Sequence, residues 1–361
     1  MTEISRIDLW QVLDSRGNPT VAARVHIGSH HAVALAPSGA STGSHEALFL
    51  RDGGNSYNGL SVNNAITKFT REVSPSLLGI AGNDFSELDR ALRTVDPTPT
   101  QSRFGGHIPV AISIATWLAY SKRAGIPPFD VIAKYLGVRP TLPMPMINIF
   151  SGGAHAGKAI DLQDILAIPS KASSFEEALE WVWNIREATK RALAKKGFDT
   201  SLVADEGGLT ARLSSDEEAI ALVADAIEAT GLSGKAGIAL DIAANQNFVN
   251  GKYLVHDAGK EIWLDSAGFV ARWSAWLDKY PILSVEDGAA EDDEIGWAVQ
   301  QGLKNRIQIL GDDRYATQLT RLKAGVAKNE ANAILIKPNQ AGTLFAALNT
   351  LKFAQQSGWR S

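Results

Sequence analysis

The chain has 361 residues, 45% hydrophobic and 20% charged, with a formal net charge of −4 and no cysteine. That length exceeds what one core usually fills, so two domains, or a barrel with an extension, are expected. The mild acidity argues against a nucleic-acid binder, which needs a basic patch, and the missing thiols exclude disulfides, zinc–thiolate sites and cysteine catalysis. The N-terminal Met-Thr-Glu-Ile-Ser-Arg-Ile-Asp has no apolar signal core, and no apolar run approaches the roughly 18 residues of a membrane span. A soluble cytoplasmic protein with no membrane span is the expectation.

In chain order, Ile4, Ile7, Leu9 and Gln11-Val12-Leu13 alternate into the turn signal Asp14-Ser15-Arg16-Gly17-Asn18-Pro19. Thr20–Ile27 and His31–Ala36 read as two further strands, an antiparallel meander opening a small α+β domain. Ala65 to about Leu92, and Val110 to Ala124, have helical apolar spacing. The proline-rich stretch Pro140–Pro145 marks a boundary, giving domains at 1–140 and 141–361. Beyond it, helical segments Ser174–Lys196 and Asp216–Ala229 alternate with short buried strands, the βα pattern of an α/β fold. Ser174 followed by Glu177 approaches a capping box.

Four apolar runs in the second half each end on a charge: Ile-Ala-Leu-Asp241, Ile-Leu-Ser-Val-Glu286, Ile-Gln-Ile-Leu-Gly-Asp312 and Ala-Ile-Leu-Ile-Lys337. Nearly unbroken β-branched runs suit strands of a parallel sheet buried on both faces. A charge at the end of such a strand is costly unless it is paired, metal-bound or used. The last three ends lie 26 and 25 residues apart, the rhythm of strand–helix units in a barrel, where catalytic groups gather at C-terminal strand ends. Asp241, Glu286 and Asp312 offer hard oxygen ligands of the kind Mg²⁺ takes. The competing reading is strand-end acids neutralised by lysines or helix N-termini. Lys337, partly desolvated beside a dication, has its neutral form favoured and becomes a candidate base, or else a structural counter-ion.

Three loops complete the inventory. Asp205-Glu206-Gly207-Gly208 follows the short run Ser201–Ala204 and reads either as an exposed turn or as a site for an acid, Glu206. Ser151-Gly152-Gly153-Ala154-His155 is a flexible loop carrying one imidazole. Ala36–Ser44 is a small-residue loop with neither a Walker lysine nor a dinucleotide fingerprint, fit to be a linker or to close over an anion.

Together, Asp14-Ser15-Arg16-Gly17-Asn18-Pro19-Thr20-Val21, Pro37-Ser38-Gly39-Ala40-Ser41-Thr42-Gly43, Asp205-Glu206-Gly207-Gly208, Ser284-Val285-Glu286-Asp287, Gly311-Asp312-Asp313 and Lys337-Pro338-Asn339-Gln340 resemble the enolase family, in its order and spacing, from about residue 5 onward. The resemblance implies a small N-terminal α+β domain followed by a modified eight-unit α/β barrel. It also implies a cytoplasmic, dimeric, Mg²⁺-dependent carbon–oxygen lyase that interconverts 2-phosphoglycerate and phosphoenolpyruvate in glycolysis. Use of a lysine or histidine base with Mg²⁺ is the general pattern of that superfamily. Carried over, Asp241, Glu286 and Asp312 hold the first Mg²⁺, and Ser41 joins a second that arrives with the substrate phosphate. Lys337 removes the C2 proton, Glu206 protonates the leaving C3 hydroxyl, and His155 and Gln163 line the pocket. Acid and base are expected on different strands, flanking the substrate from opposite sides.

Three departures from the family stand out. Gln163-Asp164 replaces the usual Gln-Glu beside the acid, and Phe104-Gly105-Gly106-His107-Ile108-Pro109 replaces Phe-Gly-Ala-Asn-Ala-Ile. The chain stops at Gly358-Trp359-Arg360-Ser361, just before the strand that should carry the family's Ser-His-Arg-Ser-Gly-Glu-Thr segment and its phosphate grip. The expectation is a barrel lacking its last two strand–helix units, a fragment of a longer chain, with weak activity. Two alternatives follow: a retuned paralogue acting on a phosphonate or similar acid, and a non-catalytic enolase-like binding protein. Retention of Lys337 and Glu206 argues against the latter.

Overall fold

The computed structural model describes residues 2–39 and 42–361. Its N-terminal part opens with a three-stranded antiparallel sheet, β1 (Ile4–Leu13), β2 (Pro19–Ile27) and β3 (His30–Leu35), in the expected meander. The helices α1 (Asn63–Glu72), α2 (Ser74–Leu77), α3 (Phe85–Val95), α4 (His107–Ala124) and α5 (Pro128–Leu136) follow. Val21, Ala23, Val25 and Ile27 alternate inward and meet Ile108, Ile112 and Ala115 of α4 in one buried cluster. Helix α4 is apolar or small on most sides and is correspondingly enclosed.

The continuous helix expected from Ala65 to Leu92 is three helices. Pro75 restarts the chain at the head of α2, and Gly79 turns left-handed at φ +85°. Asp84 then caps α3 by accepting the Glu87 amide at 2.9 Å.

The C-terminal part contains β4 (Ile147–Ser151), β5 (Asp164–Ile168), α6 (Phe175–Lys195), α7 (Asp216–Ala229) and β6 (Gly237–Asp241). A small antiparallel excursion follows, β7 (Phe248–Val249), β8 (Lys252–Asp257) and β9 (Lys260–Leu264). The chain then runs through α8 (Ser266–Ser274), β10 (Ile282–Glu286), α9 (Glu294–Gln300), β11 (Gln308–Gly311), α10 (Leu319–Lys328), β12 (Ala333–Ile334), α11 (Pro338–Ala341) and α12 (Leu344–Gln356). Ser174 caps α6 as expected, but Glu177 bonds back to the Ser173 amide, one residue earlier than a strict capping box.

Six strands form one sheet in the order β12-β11-β10-β6-β5-β4. The β6–β10–β11–β12 ladder is parallel, whereas β5 is antiparallel to both its neighbours. The four charge-ended runs are thus the parallel strands, as expected, and the reversal lies at β5. A βα unit has one crossover helix and returns the chain to its starting end; two helices, α6 and α7, separate β5 from β6, so the chain re-enters from the end it left. Among the described residues the sheet does not close into a barrel. Past α12 the chain comes back beside β12, where Arg360 bridges Ala333 in parallel. The two parts pack where Trp117 and Val131 of the N-terminal part meet Leu348 of α12, with the Tyr135 and Phe345 rings 5.5 Å apart beside them.

Candidate active site

Sheet register gathers the acids. Asp241 ends β6 and pairs with Glu286 at the end of β10 on one side and Asp164 on the other. Asp164 begins its strand, yet reaches the same end of the sheet because β5 is reversed. Three carboxylates therefore stand in one row across adjacent strands, about 4.8 Å apart along the ladder direction. Asp312 follows β11, and Lys337 lies three residues past β12, not on its last residue as the apolar run suggested. Lys337 Nζ meets Asp312 Oδ2 at 2.5 Å.

Hydrogen bonds hold each group in place. Asp241 Oδ2 accepts from Gln163 Nε2 at 2.8 Å and Oδ1 from the Ala243 amide at 3.0 Å. Gln340, buried, donates to Asp312 Oδ1 at 2.7 Å and accepts from Thr317 Oγ1 at 2.6 Å. Asp287 spends its carboxylate on the amides of Asp312 and Asp313, at 3.1 and 2.8 Å, and so shapes the turn that presents Asp312. Asp164 accepts from Ser151 Oγ at 2.7 Å, from Asn148 Nδ2, and from His155 Nδ1 at 2.7 Å.

Burial, and then the mutual repulsion of the acids, pushes Asp241 and Glu286 above the usual carboxylate range. Burial pulls Lys337 down, but Asp312, Glu286 and Asp241 pull it up further, and the result is a raised lysine. These carboxylates favour the charged form of the amine. His155 is raised by its bond to Asp164. Oxygens of Glu286, Asp287 and Asp312 approach within 4.8 Å of one another, with Asp241 one strand away. An oxygen-only, buried and mutually repelling donor set fits a hard dication.

A cavity of about 430 Å³ opens on this row, and His155, Gln163, Asp164, Glu206, Asp241, Glu286 and Lys337 all line it. Glu206 is not on a strand. It sits in the 3₁₀ turn Asp205–Gly207, after a stretch whose Leu202 and Val203 are exposed. This turn packs beside β4, while Lys337 lies beyond β12, so Glu206 and Lys337 stand at opposite edges of the sheet. Ser41, expected at a second cation, lies outside the described residues. The N-terminal part also contributes Arg16, Ser38 and Gly39 to the cavity wall. Sequence reasoning assigned Arg16 to a turn and gave Gln340 no role; the Asp-Ser-Arg-Gly-Asn-Pro turn signal was the only available hint.

Fold and site together define a two-domain α/β protein whose acidic centre lies at the strand ends of a barrel-type sheet, under an α+β domain. Residues 4–132 match the family model described as the enolase N-terminal domain, and residues 139–361 the one described as the enolase C-terminal TIM barrel domain. The chain belongs to the enolase family. Membership supports an enolase-like lyase acting on a small molecule and using a divalent metal. No helix among the described residues is long and apolar enough to cross a membrane.

Proposed function

We propose that the protein catalyses the Mg²⁺-dependent dehydration of 2-phosphoglycerate to phosphoenolpyruvate. The observation that carries this reading is one cavity lined by Lys337 and Glu206, with the carboxylate row of Asp164, Asp241 and Glu286 between them. Lys337 takes the C2 proton, the C2–H electron pair forms the C2–C3 double bond, and the C3–O bond breaks toward oxygen. Glu206 supplies the proton that completes water. Their placement at opposite edges of the sheet suits an anti elimination.

Asp241, Glu286 and Asp312 would hold Mg²⁺, with a second ion expected alongside the substrate phosphate and Ser41 as its ligand. Bound there, the metal supplies Lewis-acid stabilisation of charge developing at the substrate carboxylate. Its charge would favour release of the proton that Asp312 holds on Lys337, leaving the amine free to act as the base. Gln163 keeps Asp241 oriented, and Asp164 fixes the His155 ring toward the cavity. Family membership further supports a cytoplasmic homodimer working in glycolysis.

Absorbance at 240 nm with 2-phosphoglycerate and Mg²⁺ tests the reading. Turnover that disappears in Lys337→Ala and Glu206→Gln supports it; no turnover despite demonstrated Mg²⁺ binding overturns it. One observation favours a second reading, a paralogue for a phosphonate or related acid. The shortened Asp164 is committed to His155, Ser151 and Asn148 instead of reaching freely into the cavity. Turnover of a phosphonate analogue without turnover of 2-phosphoglycerate would select it.

A further inference from the structure

We propose that Arg16 and Asp205 are positioning residues for Glu206, bringing the N-terminal domain into the protonation half of the reaction; this rests on reading Glu206 as the proton donor. Glu206 is exposed and its backbone is left-handed, at φ +64°. A non-glycine residue is strained there and persists only where its surroundings hold it. The Asp205 carboxylate provides that hold. Its Oδ1 accepts the Glu206 amide at 3.2 Å, and its Oδ2 accepts Arg16 Nε at 2.6 Å.

Among the described residues, Arg16 is the only side chain that donates to Asp205. The arginine is itself fixed. Asp14 Oδ1 accepts the amides of Arg16 and Asn18, each at 2.9 Å, and Gly17 takes φ +76° to close the turn. Arg16 Nη1 also donates to the Ser38 carbonyl at 2.9 Å, and Ser38 Oγ returns to Asp14 Oδ2 at 2.7 Å. One guanidinium thus ties the loop at Ser38 to the turn that carries the acid, both on the wall of the same cavity.

The ion pair is partly shielded, with side chains 27% and 30% exposed. A tie that only joined the two domains would not distinguish between the two halves of the chemistry. The geometry does distinguish them: Lys337 lies at the far edge of the sheet and bonds to Asp312, not to this brace. Loss of Arg16 should therefore spare proton removal at C2 and impair departure of the C3 hydroxyl.

The test uses the full chain with Arg16→Gln, Asp205→Asn and the conservative Arg16→Lys. Three quantities are read: exchange of the C2 hydrogen of 2-phosphoglycerate with D₂O, formation of phosphoenolpyruvate, and amide exchange across residues 204–208. Arg16→Gln is expected to slow dehydration about 10- to 100-fold, the scale of a small misplacement. C2 exchange should stay within about twofold, and residues 205–208 should exchange faster. Arg16→Lys should recover part of each loss. Equal slowing of both half-reactions, or unchanged amide exchange in Arg16→Gln, overturns the proposal. If the unaltered chain performs neither half-reaction with Mg²⁺, the lyase reading fails, while amide exchange still decides whether Arg16 holds the Glu206 turn.

Discussion

Replacing Lys337 by methionine should tighten Mg²⁺ binding while abolishing C2 exchange. The amine lies 2.5 Å from Asp312 Oδ2, and Glu286 and Asp241 also raise its affinity for the proton. Unit charges roughly 4–6 Å apart at an effective dielectric near 20 interact by about 3–4 kcal/mol. Any dication entering the carboxylates works against a term of that order. The lysine side chain is 43% exposed, so solvent screens part of it, and the amine can also shed its proton. A net gain of about 1–3 kcal/mol in Lys337→Met is expected, a roughly 5- to 150-fold tighter Kd. Calorimetry in buffers of differing ionisation enthalpy supplies a second readout. Binding to the unaltered chain should release protons, because Asp241 and Glu286 are pushed up and Lys337 is held charged, and affinity should rise with pH. Lys337→Met should release fewer. Unchanged or weaker Mg²⁺ affinity in that variant would remove the cation from Lys337's neighbourhood and refute the assignment of both.

The remaining predictions concern the scaffold. Arg314 and Glu330 form a buried bidentate pair at 3.0 and 2.9 Å just after the Asp312-Asp313 turn, so Glu330→Ala should cost about 3–5 kcal/mol. The apolar double variant Arg314→Met/Glu330→Leu should recover most of that in a urea melt. Asp216 is buried, and burial raises it to about 7 although it accepts the Asp161 and Leu162 amides. Because its folded value lies above the unfolded one, its stabilising contribution is complete in acid and is lost as pH rises from about 4 through 7. Asp216→Asn should flatten that slope in melts taken from pH 4 to 8. Ser174→Ala, which deletes the α6 cap, should cost about 1 kcal/mol in the same melt.

The strand ends were legible because a parallel strand buried on both faces leaves an unbroken apolar run, and the charge that stops it stands out. Asp241 and Glu286 lie where that logic places them. Lys337 does not, since regular pairing stops at Ile334 and the amine reaches the site from the residue that opens α11. Asp164 was legible only by resemblance. Its strand runs backwards, so a residue that starts a strand shares a row with residues that end theirs, and direction is not written in an apolar run of five. The stretch before Glu206 misled for a related reason: Leu202 and Val203 look like a buried strand, yet both are exposed. Arg16 was hidden because a turn motif explains all its residues locally, while its partner Asp205 lies 189 residues away.

That separation bears on how the site is assembled. Lys337's partner Asp312 and the carboxylate row are fixed by backbone pairing, by Gln340 and Gln163, and by amides of the barrel itself. Glu206 stands on a turn outside the sheet, and the contact to its neighbour Asp205 comes from the other domain. On the proposed roles, proton removal should depend chiefly on the barrel, whereas hydroxyl departure should require both domains in contact. A disturbance at the domain interface, such as Leu348→Ala in the cluster with Trp117 and Val131, should reach the second step before the first. Glu46 adds a parallel link from the N-terminal side, accepting the Gly43 amide at 3.0 Å and Gln340 Nε2 at 3.3 Å, the amide group that also holds Asp312. The α+β domain is thus joined to the Glu206 turn through Arg16 and to the Asp312 end through Glu46, which explains why its loop and turn motifs accompany a site whose acids Asp241, Glu286 and Asp312 lie in the barrel.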